Sequence, residues 1–266
     1  MIRLREVFRK LEELVDADRP AAAVVVTAAG GEQPGLVGAR FVVTENGVEA
    51  GSDAPAWLLQ AALHHGKEAL WANRGGWVRH QPAVGADDEV QVEFFVDLAV
   101  PAPQLIIFGG GHISQSLAAM GSMIGFQVTV LDDRPLFANR ERFPTARQVL
   151  CKPFEEAVLE VPITRASYVV IVTRGHRSDE TCLRGVLHSP AGYIGMIGSR
   201  RRVGGVMSRL VEDGEPAHLV RRVHSPIGLD IGAQTPEEIA VSILAEIINV
   251  RRGGKAADAS LHRQKV

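Results

Sequence analysis

The 266-residue chain reads as an α/β protein, a Rossmann-like parallel-sheet domain preceded by a smaller N-terminal α+β domain. Three observations predict this. Residues 105–133, LIIFGGGHISQSLAAMGSMIGFQVTVLDD, place an apolar run, a glycine cluster, an amphipathic stretch and a second apolar run ending in two carboxylates in one unit. Short apolar runs at 105–108, 127–131, 148–151, 168–173 and 193–197 are separated by helical stretches, the pattern of a parallel sheet covered on both faces. Pro101-Ala102-Pro103 then divides this region from what precedes it. The expected domains are 1–100 and 104–252, with a disordered tail over 253–266.

In order along the first domain, Leu4, Val7, Phe8, Leu11, Leu14 and Val15 recur at helical spacing and give one apolar helix face. Strands follow at 21–27 and 40–44, then a turn at Glu45-Asn46-Gly47 and a short strand through Val48. A helix is predicted over 56–70. Val90, Val92, Phe94, Val96 and Leu98 alternate with mostly polar neighbours, as a half-buried strand does. Trp57, Trp71 and Trp77 are expected to pack in this domain.

In the second domain the last long helix has its start written in sequence. Thr235 is a suitable N-cap, Pro236 suits the first turn and Glu238 completes a capping box. Ile239, Ile243, Ile247 and Val250 line one face, and Gly253-Gly254 ends the helix.

Composition excludes several classes of function. The formal net charge is −2, so there is no overall bias toward nucleic acid, and an anion site must be a local arrangement. The longest apolar stretch, 21–29, is strand-sized and too short to span a bilayer. Glu6, Glu12 and Glu13 near the start do not suit a signal peptide, and a cytoplasmic location is expected. Cys151 and Cys182 form neither a disulfide framework nor a metal-spaced pair, and both are expected to be small buried apolar residues. No metal site is expected.

Ligands of open parallel sheets collect at the carboxyl ends of the strands. Gly109 would make the turn after the first strand, Gly111 would let backbone approach a phosphate, and the next helix would aim its N-terminus there. Ser114 stands where the third glycine of a dinucleotide fingerprint would be, and His112 where a small residue is usual. Asp132, 21 residues after Gly111, is placed to accept a ribose hydroxyl. Arg174, His176 and Asp179 follow the fourth strand, and Ser199, Arg200, Arg201 and Arg202 follow the fifth. His224 and Asp230 lie in a later loop. Three arginines behind an N-cap serine oppose the helix dipole by roughly 0.3–1 kcal/mol each when exposed, and a bound oxyanion would reverse that sign. Pairing with nearby carboxylates would offset it too.

GGGHISQSLAAMGSMIGFQVTVLDDR, TRGHRSDE, YIGMIGSRR and HSPIGLDIGAQTPEEIAVSILAEI occur here in the order found in the XdhC/CoxI family, which the chain resembles over roughly 96–251. The family comprises accessory proteins of xanthine dehydrogenase and related molybdenum hydroxylases. The resemblance implies a chaperone that binds the molybdenum cofactor (molybdopterin) as cargo while a partner cysteine desulfurase sulfurates it. The cofactor would then pass to the apo molybdenum hydroxylase. Matched to the family motifs, the cofactor-binding candidates are Gly109, Gly111, His112, Asp132, Arg174, His176, Asp179, Ser199, Arg200, His224 and Asp230. One departure stands out: members carry a segment of the form GSVSGGCVE in the first domain, whereas 49–56 here reads EAGSDAPA, without cysteine. Two other classes remain open, a nicotinamide (NAD) oxidoreductase and a nucleotide-sensing module without chemistry. A homodimer is compatible with the architecture.

Overall fold

The structure is a computed structural model that describes residues 4–30, 35–72, 74–81, 91–254 and 260–261, the side chain of His176 excepted. The chain forms two compact units, Met1–Pro101 and Ala102–Val266.

The first unit is a five-stranded antiparallel sheet. Its strands are β1 (Ala21–Ala29), β2 (Arg40–Thr44), β3 (Gly47–Gly51), β4 (Gly76–His80) and β5 (Val92–Ala99), in the order β3-β2-β1-β5-β4. The two-residue side-chain period sorts them between two helices. Ala22, Val24, Val26, Phe41 and Val43 pack with Leu58, Ala61 and Ala62 of α2 (Ala56–Ala72). Ala21 and Val42 face Val7, Leu11 and Leu14 of α1 (Leu4–Asp16).

Several expectations are corrected here. The stripe on α1 is narrower than the periodicity suggests, because Leu4 and Phe8 lie on its exposed flank. Strand β4 is an edge strand missing from the sequence reading, since Gly76 and a Trp/Arg alternation dilute its apolar signal. Trp57 is part-buried in the core, but Trp71 at the end of α2 is 92% exposed. Trp77 points away from α2 and meets Phe95 edge-on at 5.2 Å. Val90 lies outside the described residues.

The second unit is a parallel sheet ordered β10-β9-β6-β7-β8, built from β6 (Gln104–Phe108), β7 (Gln127–Asp132), β8 (Gln148–Cys151), β9 (Ser167–Ile171) and β10 (Tyr193–Met196). The central strands are buried on both faces, which is why they read as unbroken apolar runs. Ile106 and Phe108 join the core under α4 (Phe154–Glu160), α5 (His176–Val186) and α6 (Arg200–Glu212). Leu105 and Ile107 join the core under α3 (His112–Met123) and α8 (Pro236–Arg252). The short α7 (Ala217–Arg221) follows α6. The order reverses between β6 and β9, which makes that edge the topological switch point.

Helices do not separate every strand. Between β7 and β8 the chain makes successive turns, where Pro135 and Pro144 interrupt helix and Asn139 caps both sides of its own turn. After α7, His224 runs beside Gly195 as a one-residue parallel bridge. Helix α8 begins with the complete Thr235–Glu238 capping box and ends at Gly253 in the left-handed conformation. Ile243 and Ile247 are buried, whereas Val250 is at the exposed margin. Most of the tail expected to be disordered, 255–259 and 262–266, lies outside the described residues, but Ser260 is buried and bridges Leu229. No helix among the described residues is long and apolar enough to cross a membrane.

Candidate functional site

The carboxyl ends of β6, β7, β9 and β10 form one edge of the parallel sheet, and the glycine turn sits at its switch point. Gly109 has φ +109°, and a Cβ there would come within 2.5 Å of the Val172 carbonyl oxygen. Only glycine fits that turn without strain. Gly111, by contrast, has φ −72° and open space where a Cβ would project. It is the N-cap of α3 and supplies no side-chain cap, so the first-turn amides face outward without an internal acceptor from that residue. His112 is exposed at the first position of the helix. Ser114 is fully buried, and its hydroxyl makes no hydrogen bond among the described residues. It therefore substitutes for glycine at the helix–sheet contact at the cost of an unsatisfied group.

Asp132 is 1% exposed, and its carboxylate is fully occupied. Oδ1 accepts from the Arg134 backbone N–H at 3.0 Å and Nε at 2.8 Å; Oδ2 accepts from the Gly110 N–H at 2.7 Å and Arg134 Nη2 at 2.9 Å. A carboxylate has about four acceptor positions, so none is left here for a ribose hydroxyl. Burial works against ionisation, yet the Arg134 and Gly110 hydrogen bonds outweigh it and hold the pKa below the ordinary value. Arg134 in turn stacks over Phe137 at 3.8 Å, and Arg142 approaches the same ring from 5.1 Å. Arg142 also donates to the Gly110 carbonyl at 3.3 Å and to Gln115 at 2.9 Å. Arg134 stands with Asp132 and Asp133 in the polar tip that the sequence places after the second strand, whereas Arg142 was not singled out from sequence; its signal was the polar, turn-rich stretch that follows.

Asp132, Asp133, Arg134, Phe154, Arg174 and Ser178 line an open cleft of about 220 Å³. Arg174 is exposed on its wall. His176 opens α5, and its side chain lies outside the described residues. Asp179 is buried behind the cleft, accepting from Thr173 Oγ1 at 2.5 Å and pairing with Arg202. Ser199 caps α6 by accepting from the Arg202 N–H at 3.4 Å. Arg202 is thus neutralised by Asp179, and Arg200 and Arg201 are exposed. Arg201, Arg202 and Arg209 line a second open groove with Ser199.

His224 does not join this edge. Its ring stacks on Tyr193 at 4.6 Å, and its Nδ1 lies 3.5 Å from Glu246 of α8. Glu246 is 1% exposed and accepts from Tyr193 Oη at 2.5 Å, from the Gly228 N–H at 2.9 Å and from Ser260. Burial opposes its ionisation, but hydrogen bonds from His224, Ser260 and Tyr193 hold its pKa below the ordinary value. Burial and the same carboxylate push Tyr193 well up. This network fixes the 224–230 loop onto α8 and was not anticipated. Asp230 is exposed at the end of that loop.

Cys182 is buried, and burial pushes its thiol well above the usual range, which removes it as a nucleophile. Cys151 is not the buried residue expected: it is exposed at the end of β8, in register with Asp132.

The family model for the XdhC Rossmann domain matches residues 105–247. The chain is 28% identical over 252 residues to the Escherichia coli (strain K12) protein YqeB, itself described as uncharacterized, covering 92% of this chain and 46% of that protein. It is 35% identical over 158 residues to a Bacillus subtilis (strain 168) protein described as a probable xanthine dehydrogenase subunit, covering 59% of this chain and 46% of that one. The chain therefore spans about half the length of these curated relatives. A solved structure described as a xanthine dehydrogenase from Bacillus halodurans shares the fold, with TM-score 0.54, 20% identity, and coverage of 94% of this chain and 97% of that one. With the glycine turn, the switch-point cleft and more than half the chain matched, the chain belongs to the XdhC family, of xanthine dehydrogenase accessory type.

Proposed function

We propose that the protein is an accessory factor that binds the molybdenum cofactor and delivers it to a xanthine dehydrogenase-type molybdenum hydroxylase. The observation that carries this reading is the uncapped start of α3, where Gly111 leaves open space close to a cleft lined by Arg134 and Arg174. Backbone amides at a helix start and the guanidinium of the exposed Arg174 are complementary to a phosphate, while the Nε and Nη2 of Arg134 are held by Asp132 and leave it as a wall. They fit the anionic arm of a molybdopterin, which in this reading is cargo held while a partner desulfurase sulfurates it. Gly109, Asp132 and Asp179 build the turn and its walls. Gly111, His112, Arg174, Ser199 and Arg200 supply the exposed rim, with His176 at the start of α5.

The nicotinamide reading is less well supported. It needs a carboxylate open to a ribose, and the acceptor positions of Asp132 are filled from within the protein. Hand-over to an apo-hydroxylase, sulfuration by a cysteine desulfurase and assembly as a homodimer belong to the same proposal. So does a cytoplasmic site of action, where the free thiols of Cys151 and Cys182 are at home.

The test is reconstitution. Purified protein loaded with molybdopterin should retain it through gel filtration and raise the activity of an added apo-hydroxylase above that given by free cofactor. A protein that releases all cofactor and leaves the hydroxylase unchanged contradicts the proposal.

A further inference from the structure

The first unit carries a cluster of histidines unrelated to the cleft. Glu68 on α2 lies four residues after His64 and three after His65, so it neighbours both on the helix surface, while the two consecutive histidines approach it from different sides. The ligand atoms of all three lie within 4.8 Å of one another. His64 Nε2 is 3.3 Å from Glu68 Oε2, and His65 Nδ1 is 3.4 Å from the same oxygen. Four-coordinate zinc, with metal–ligand bonds near 2.0–2.1 Å, separates its ligand atoms by roughly 3.3 Å. Both histidine–carboxylate edges match that spacing, and the third edge, between the histidines, is no longer than 4.8 Å.

The surroundings of His65 point the same way. Its side chain is only 11% exposed, yet its Nδ1 is buried and makes no hydrogen bond, although Glu68 is close by. Its other nitrogen, Nε2, lies 3.2 Å from Nδ1 of His80 on β4. If His65 donates there, its Nδ1 presents a lone pair toward a carboxylate, an arrangement of two acceptors that a cation between them would satisfy. A second-sphere hydrogen bond of this kind is how metal-binding imidazoles are oriented. The site is also held rigidly. A Cβ on Gly66 would come within 2.8 Å of the Val43 side chain, so glycine lets α2 sit directly on the sheet, and Phe94 packs beside both His65 and His80.

We propose that His64, His65 and Glu68 bind one divalent transition-metal ion of the zinc class, with His80 positioning His65 from behind. Three protein ligands leave a fourth position for solvent or an incoming group. Nitrogen and carboxylate donors select zinc-like ions over magnesium or calcium, which prefer all-oxygen sets.

The experiment titrates the metal-free full chain with Zn²⁺ against a chromogenic chelator, and repeats it with Co²⁺ as a spectroscopic probe. The expected result is one strongly bound equivalent per chain and the intense visible absorption of four-coordinate Co²⁺. His64 and Glu68 are each 63% exposed, so His64→Ala and Glu68→Gln should fold normally. Each should weaken Zn²⁺ binding at least tenfold and abolish the Co²⁺ band. His80→Phe should weaken binding by about tenfold through the lost second-sphere contact. Metal uptake that is the same in wild type and all three variants, or a Co²⁺ spectrum of six-coordinate aquo type, overturns the proposal.

Discussion

Asp132 and Glu246 are both 1% exposed carboxylates of the second unit, and both are held ionised by converging donors. They differ in where those donors come from. Asp132 is satisfied by Arg134, two residues on, and by the glycine turn it has to face. Glu246 is satisfied by groups 14, 18 and 53 residues away in sequence. The first belongs to a motif and shapes the candidate site, while the second has no motif and holds the edge of the domain together. A buried carboxylate in a Rossmann-like unit is therefore no evidence of a ligand contact until its acceptor positions have been accounted for.

Glu246→Gln should cost about 3 kcal/mol of stability, because the amide cannot accept from Tyr193, Gly228 and Ser260 together and leaves buried donors unpaired. Cofactor binding at the far edge should survive in whatever fraction remains folded. A denaturant melt that matches the wild type would show that the network contributes little. The pH dependence sharpens the same point. Asp132 and Glu246 both have depressed folded pKa values, so their contribution is present above the unfolded carboxylate range of about 3.9–4.3 and lost as pH falls through the folded values. Wild-type stability should fall steeply below about pH 4, and Glu246→Gln should flatten part of that slope.

The glycine turn gives the next effect. Gly109→Ala should destabilise by roughly 2 kcal/mol, since it combines a positive φ with a backbone collision. Arg174→Ala should leave the melting curve within about 0.5 kcal/mol of wild type, as expected for an exposed side chain. It should nonetheless weaken cofactor binding by ten- to a hundredfold, the worth of a charge-assisted contact of roughly 1.5–3 kcal/mol. Unchanged affinity in Arg174→Ala would remove that wall of the cleft from the binding site.

Local patterns account for what could be read from sequence. The β6–α3–β7 unit shows because its strand runs, its turn glycines and its acid lie within 29 residues, and the start of α8 shows because a capping box is a four-residue device. The saturation of Asp132 by Arg134 did not show, because spacing places an acid but does not reveal which donor reaches it first. His224 and Asp230 follow a late loop that sequence reasoning assigned to the rim. The bridge to Gly195 and the pull of Glu246 turn His224 toward α8 instead. Trp71 and Cys151 failed for a related reason: residue type predicts burial on average, while position at the end of an element decides it.

Whether the start of α3 receives the anionic part of the cofactor is decided by Gly111→Asp. Gly111 has the extended backbone of an N-cap and open space beyond its Cα, so aspartate fits and should stabilise the helix by a few tenths of a kcal/mol. Its carboxylate would then occupy the amides that a phosphate needs. Equilibrium binding of molybdopterin to wild type and Gly111→Asp should show at least a hundredfold loss in a protein that melts no lower. Equal affinity in the two proteins would show that the cofactor's phosphate does not sit on the first turn of α3.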